Sequence, residues 1–224
     1  MKPLCIIPAR GGSKRFPRKN VALLAGKPLI AYAIDAARES GVFDQVCVSS
    51  EDEEILKIAS EFGADARKRD SKLSSDTAQM KHVCAAVLEE YQKQGKDYDA
   101  FALLPPTNPM RTAEDVKEAY NIFTSNECNF VMSVIRHGDP PQRAVWVKNG
   151  FVEPYFGLKH MKPAQELDDV FHDDGSIIFA KTVAFTEEGD FYGTKVLPYF
   201  IPRERSVDID YPEDLQLAEF LLSR

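Results

Sequence analysis

The chain lacks the features that would place it in a membrane, in a secreted scaffold or among metal-cluster proteins. No apolar run comes near the roughly 20 residues needed to cross a bilayer. The N-terminal MKPLCIIPAR offers only a short apolar stretch before Pro8 and Arg10, too little for a signal sequence, so a cytoplasmic protein is expected. Cys5, Cys47, Cys84 and Cys128 are the only cysteines, and they stand roughly 40 residues apart, which fits neither a zinc site nor a disulfide framework. Cys5 and Cys47 lie in apolar runs and read as small core residues. His82, His137, His160 and His172 show no ligand spacing. Positive charge is in the minority: 28 Lys and Arg against 35 Asp and Glu give a formal charge of -7. That balance argues against non-specific binding to nucleic acid or an anionic membrane. There is no internal repeat and no low-complexity tract.

What is present is an ordinary globular composition, 44% hydrophobic and 28% charged over 224 residues, enough for one α/β domain with an insertion. Short apolar runs predict strands at Leu4–Pro8, Gln45–Ser49, Ala100–Leu104, Phe130–Val134, Ala144–Lys148, Ser176–Ala180 and Val196–Ile201. The early ones are apolar on both faces, as in strands covered by helices on two sides. Helical patterns lie between them: Pro28–Ser40, Glu51–Phe62, Thr77–Tyr91, Thr112–Thr124 and, closing the chain, Pro212–Leu222. Ile55, Ile58, Ala59 and Phe62 share one face of the second, and Thr112 with Asp115 has capping-box spacing in the fourth. Strand and helix alternate through residue 134. That alternation predicts a Rossmann-like, mostly parallel sheet covered by helices, binding its ligand at the carboxyl ends of its strands. The stretch 136–174 is rich in Pro, His and charge, breaks this rhythm, and reads as an insertion at the sheet's edge serving oligomerisation.

Against the acidic balance, Arg10, Lys14, Arg15, Arg18 and Lys19 fall within ten positions with no acid among them, just after the first strand. The run has two readings, a solvated turn or a grip on a small anion. GGSKRF is neither a P-loop nor a GxGxxG fingerprint. What remains is Gly11 and Gly12, which let backbone N–H groups approach an anion, plus cations enough for a triphosphate. Near the other end, SVDIDYPEDL carries Asp208 and Asp210. On a strand, that spacing puts both carboxylates on one face with Ile209 on the other. Such a pair suits Mg²⁺, and equally suits an acidic lead-in to the helix at Pro212; Glu213 and Asp214 read as caps. LLPPTNPMRT follows the third strand, stiffened by prolines, with Thr107 and Asn108 offering polar contacts, a substrate contact or a rigid connector. RKRDSKLSSDTAQ ends with Ser75 and Asp76 at a helix start, where an anion or a cap fits.

Together these motifs resemble the CMP-sialic acid synthetases, or acylneuraminate cytidylyltransferases. IPARGGSKRFPRKN is similar to that family's N-terminal signature, and SSDTA, PTNPMRT and SVDIDYPEDLQLAE match further blocks in order over nearly the whole chain. The resemblance implies one cytidylyltransferase domain over residues 1–224, with a dimerisation arm reaching a partner subunit. It implies Mg²⁺-dependent transfer of CMP from CTP to the anomeric hydroxyl of a nine-carbon 2-keto sugar acid, with release of pyrophosphate. Arg10 and Lys19 would hold the triphosphate, with Gly11, Gly12 and Ser75 beside it. Asn20 and Arg69 would contact the cytidine, and Asp208 and Asp210 would hold Mg²⁺. Pro105, Thr107, Phe191 and Tyr192 would border the sugar. At that end the chain departs from the family: Pro105 stands where N-acetylneuraminate enzymes often carry glutamine, and Ala164 stands near where an arginine for the sugar carboxylate is expected. Legionaminic, pseudaminic or deaminated neuraminic acid are therefore acceptors to weigh. The alternatives are an eight-carbon Kdo-type synthetase, whose loop is nearer YASTRLPGK, and a non-catalytic nucleotide-binding protein.

Overall fold

A computed structural model describes residues 3–74 and 79–224. Its centre is a seven-stranded sheet. In chain order these strands are β1 (Leu4–Pro8), β4 (Gln45–Ser50), β5 (Asp65–Lys68), β6 (Ala100–Leu103), β7 (Phe130–Arg136), β10 (Phe171–Lys181) and β11 (Val196–Phe200). Two hairpins stand apart from it, β2 (Leu23–Leu24) with β3 (Lys27–Pro28) and β8 (Val145–Lys148) with β9 (Phe151–Pro154). Across the sheet the order is β11-β7-β10-β6-β1-β4-β5. β1 runs parallel to β4 and β6, β4 to β5, and β11 to β7; β10 alone is antiparallel, to both β6 and β7.

The helices are α1 (Leu29–Ser40), α2 (Glu53–Glu61), α3 (Met80–Lys93), α4 (Ala113–Ser125), α5 (Thr182–Glu188) and α6 (Pro212–Leu222). Every residue of β1 is buried. Cys5 and Ile7 pack into one apolar layer with α1, α2 and α4, while Leu4 and Ile6 pack into the opposite layer with α3 and α5. Each buried Ile or Leu there contributes about 1.5–3 kcal/mol over an exposed one. All four cysteines are buried and free; burial was expected for Cys5 and Cys47. Among the described residues no helix is long and apolar enough to cross a membrane.

Three local readings change. Pro28 is the residue before α1 rather than its first helical position. The edge strand β5 carries Asp65, Arg67 and Lys68 on a half-buried ladder, so its composition hides it. The irregular stretch does not leave from a sheet edge. It is the connection between β7 and β10, which are neighbours in the interior of the sheet. Because Arg136 and residues 171–174 belong to those strands, the arm proper is 137–170. It projects as the β8–β9 hairpin, whose eight strand residues are almost all exposed.

Candidate active site

The carboxyl ends of β1, β5 and β6 open onto one cleft of about 470 Å³, where a mostly parallel sheet is expected to present its ligand site. After β1, the chain runs through Arg10, Lys14 and Arg15 to Lys19 and Asn20. After β6, Leu104 N–H donates to the Ile6 carbonyl, and the following loop brings Pro105 and Thr107 to the cleft. From the far end of the chain, Ile209 N–H donates to the Thr107 carbonyl at 2.8 Å. That bond docks the segment 206–210 against the loop. The segment pairs in no sheet among the described residues, and its burial alternates from Val207 to Asp210. Val207 and Ile209 are buried beneath it, so Asp208 and Asp210 keep the shared outward face expected of a strand, without the strand. Asp214, in the first turn of α6, accepts the N–H groups of Asp210 and Tyr211 at 2.9 and 2.8 Å. It is a cap, as expected, and it also fixes the backbone of Asp210.

The basic loop and the aspartate pair therefore meet. Lys19 Nζ donates to Asp210 Oδ1 at 2.9 Å and to the Ile209 carbonyl at 2.7 Å, although 191 residues separate Lys19 from Asp210. Arg15 pairs with Asp210 Oδ2 at 2.6 Å. Burial pushes the Asp208 carboxyl up from its ordinary value, and the charge of Asp210 adds to the rise, against a hydrogen bond from the Thr107 hydroxyl and the charge of Lys19. A carboxyl whose ionisation is resisted in this way, next to a second aspartate on the same face, is a natural seat for a hard cation. Among the described residues no three His, Cys, Asp or Glu are grouped to hold a metal alone, so any cation here must draw further ligands from substrate oxygens or water.

Asn20 is buried, and its Nδ2 donates to the Arg10 carbonyl at 2.9 Å. The amide orientation this sets leaves Oδ1 facing away, buried and with no partner among the described residues. A buried acceptor of that kind costs about 1–3 kcal/mol until something donates to it. Arg69, at the end of β5, is only 7% exposed at its side chain. Leu73, Met80 and Val83 form an apolar wall of the same cleft.

Residues 4–156 match the profile described as "Cytidylyltransferase". The chain is 40% identical to the pseudaminic acid cytidylyltransferase of Campylobacter jejuni, over 99% of this chain and 96% of that one. It is 34% identical to the N-acylneuraminate cytidylyltransferase of Escherichia coli, over 97% of this chain but only 51% of that longer protein. This chain belongs to the cytidylyltransferase family. It is thus a nucleotidyltransferase. Its fold is shared by a solved CMP:2-keto-3-deoxy-manno-octonic acid synthetase, with a TM-score of 0.71 at 16% identity and coverage of 100% and 99%.

Within the cytidylyltransferase cleft, Arg10, Lys19, Asn20, Arg69, Pro105, Thr107, Asp208 and Asp210 all line one space. Gly11 and Gly12 do not. The Gly11 N–H donates to Glu51 Oε1 at 2.7 Å rather than facing an anion. Gly11 is glycine for another reason: a Cβ there would lie 2.5 Å from Asp52 Oδ2 and 2.9 Å from Asp52 Cβ. Gly12 is exposed. Phe191 is a core residue packed on Phe101 and Phe185 and does not line the cleft. Tyr192 is exposed and its hydroxyl donates to Asp173. Ser75 lies outside the described residues. Ala164 lies on the arm, beside Arg136 and Arg203, and not at the cleft. Arg18 sits at φ 61° and pairs with Asp52 and Glu54 at the start of α2, which makes it a clasp for the loop.

Two residues were not singled out from the sequence. Arg111 is buried; it donates to the Ser176 carbonyl at 2.5 Å and to the Pro105 carbonyl at 3.3 Å. Burial pushes it down to about 10, which still leaves it a cation at neutral pH, bracing the loop that carries Thr107. Glu51, just after β4, gathers donors from three separate segments. A larger groove of about 650 Å³ lies between α3 and α5. It holds neither the basic loop nor the aspartate pair, and the chemistry argues for the smaller cleft.

Proposed function

We propose that this cytidylyltransferase moves CMP from CTP onto the anomeric hydroxyl of a nine-carbon 2-keto sugar acid of the sialic acid type. The observation that carries the reading is the convergence of the loop 10–19 and the Asp208–Asp210 segment on one cleft, with Lys19 and Asp210 in contact. The relatives' substrates, pseudaminic acid at 40% identity and N-acylneuraminate at 34%, support the sugar class. The higher identity makes pseudaminic acid the acceptor to try first, and Pro105 at the cleft agrees with a pocket that departs from the N-acetylneuraminate pattern.

In this reading Arg10 and Lys19 hold the triphosphate and stabilise negative charge on the departing pyrophosphate. Asn20 and the Arg69 side of the cleft, with its apolar wall, hold the nucleoside. Asp208 and Asp210 hold Mg²⁺, and the fit rests on their shared outward face, the resisted ionisation of Asp208 and the room for phosphate oxygens. When bound, that ion neutralises phosphate charge and polarises the reacting phosphorus. The acceptor oxygen forms a bond to the α-phosphorus, the bond from that phosphorus to the bridging oxygen breaks, pyrophosphate leaves and the hydroxyl loses its proton. Lys19 is the group best placed to act: released from Asp210, its ammonium swings onto phosphate within the same cleft.

The arm supports a homodimer. Val147 is 74% exposed and Phe151 71% on the hairpin, and Leu158 80% just after it, and apolar surface of that kind on a projecting arm calls for a protein partner. The test of the function is pyrophosphate release from CTP with Mg²⁺ and, in turn, pseudaminic, legionaminic, N-acetylneuraminic and Kdo acceptors. Release with a nine-carbon acid is expected. Release with Kdo alone moves the chain to the eight-carbon group, and no release with any acid removes the reading.

A further inference from the structure

We propose that Glu51 is a positioning residue that aims Arg69 at the nucleobase and thereby gives the cleft its preference for cytosine over uracil. The inference deepens the function above and rests on it.

Glu51 Oε1 accepts the Gly11 N–H at 2.7 Å. Its Oε2 accepts the Ser74 hydroxyl at 2.5 Å and Arg69 Nη2 at 3.2 Å, while Arg69 Nε donates to the same Ser74 oxygen at 2.7 Å. One carboxylate thus joins the turn of the basic loop, the end of β5 and the short helix Ser71–Ser74. The triangle of Glu51, Ser74 and Arg69 holds the guanidinium in one plane through its Nε and Nη2, and Arg69 lines the cleft beside Leu73, Met80 and Val83. Burial pulls Arg69 down and the charge of Glu51 holds it up. On Glu51, burial raises the carboxyl, but Ser74, the Gly11 N–H and Arg69 together bring it below its ordinary value. Both are ionised at neutral pH.

The charge count separates the two ends of the cleft. At the loop end, several cations stand together. At the Arg69 end, Glu51 offsets the guanidinium, and of the loop cations only Arg10 is felt at Arg69, so a phosphate gains less there than at the loop. A flat, uncharged ring against the apolar wall fits instead. A guanidinium offers donors only. Cytosine presents two adjacent acceptors, its 2-oxo group and its unprotonated ring nitrogen; uracil carries an N–H at that ring nitrogen and meets the guanidinium donor to donor. A guanidinium held in one plane enforces that difference, and a loose one tolerates either ring.

Binding of CTP and of UTP is measured calorimetrically, without metal or sugar, for the wild type, Glu51→Gln, Ser74→Ala, Arg69→Ala and the Glu51→Gln/Arg69→Ala pair, with melting temperatures alongside. Glu51→Gln keeps the size of the side chain and is expected to weaken CTP about tenfold and UTP less than about threefold. Ser74→Ala keeps every charge and should narrow the CTP/UTP ratio by about threefold. In the Arg69→Ala background, Glu51→Gln should change the ratio no further, because Glu51 acts through Arg69. A CTP/UTP ratio unchanged in Glu51→Gln overturns the proposal. So does an equal loss of both nucleotides with a lowered melting temperature, which marks a purely structural carboxylate. A wild type that binds neither nucleotide overturns the reading of the cleft itself and the proposal with it.

Discussion

The cleft and the arm are both incomplete surfaces, and they are incomplete in opposite ways. The cleft is lined by charges that already hold one another: Lys19 and Arg15 on Asp210, Arg69 on Glu51. Among the described residues that line it, one buried polar atom has no partner, the amide oxygen of Asn20. The arm displays Val147, Phe151, Val152 and Leu158 to solvent and belongs to neither of the two large apolar layers that cover the sheet. The first kind of surface is completed by a small polar ligand that trades partner for partner. In the proposed homodimer the second would be completed by another protein surface, where apolar area matters most. One fold thus carries its cleft at the strand ends and an exposed apolar hairpin on an excursion between two interior strands.

The largest expected effect falls on the cleft alone. Asp210→Asn should lower kcat about 10³-fold or more, roughly 4 kcal/mol of transition-state stabilisation, while metal-free CTP binding and the oligomeric state stay as in the parent. Turnover within about tenfold of the parent would remove the metal role from Asp210. The converse change sharpens the contrast. Val147→Glu with Phe151→Glu should weaken self-association about 100-fold or more, read by analytical ultracentrifugation across a dilution series. A wild type that sediments as a monomer at every concentration would break the account of the arm.

A third, smaller effect concerns the frame that joins the two regions. Asp115 is buried in the first turn of α4, where it completes the capping box with Thr112, accepts from Tyr199 and pairs with Arg205. Burial raises its carboxyl, but the bonds from Arg205, Thr112 and Tyr199 outweigh it and the net direction is down. A lowered folded-state value means the contribution is complete above the ordinary carboxylate range, and it is lost as pH falls through the folded value. Asp115→Asn should therefore cost about 2–4 kcal/mol at pH 7 and flatten the acid limb of the melting curve below about pH 4. An unchanged acid limb would assign that pH dependence elsewhere. The smallest effect is expected from Arg18→Ala. Its pairs with Asp52 and Glu54 are solvent-exposed, and such pairs are worth about 0–1 kcal/mol. A rise in the KM for CTP much larger than the change in melting temperature would promote Arg18 from clasp to ligand.

How much of this was legible in the sequence follows from how local each cause is. The bounds of β1 and α6 could be read directly, because an unbroken apolar run and a proline followed by acids are local signals. The capping box of α4 was legible for the same reason. β5 was not, since an edge strand of Asp65, Ala66, Arg67 and Lys68 has no apolar alternation. α5 was missed because it starts straight after β10 with no side-chain cap. At the site, the residue types were legible and their partners were not. Nothing near Gly11 in sequence reveals that its N–H is spent on Glu51, 40 positions away. Phe191 looked like a wall of the cleft and is core, because its neighbours Phe101 and Phe185 come from β6 and α5. The placement of the arm also needed the sheet order: that β10 slips between β6 and β7 is a matter of long-range pairing that no periodicity encodes.

The central claim is that the basic loop and the two aspartates serve one nucleotide. A crystal grown with CTP and Mn²⁺ tests it directly. The account predicts an anomalous peak on the order of 2 Å from oxygens of Asp208 and Asp210, with the triphosphate between that peak and the side chains of Arg10 and Lys19, and the cytosine ring against Arg69. A nucleotide seated in the groove between α3 and α5, or a metal peak away from both aspartates, would contradict it.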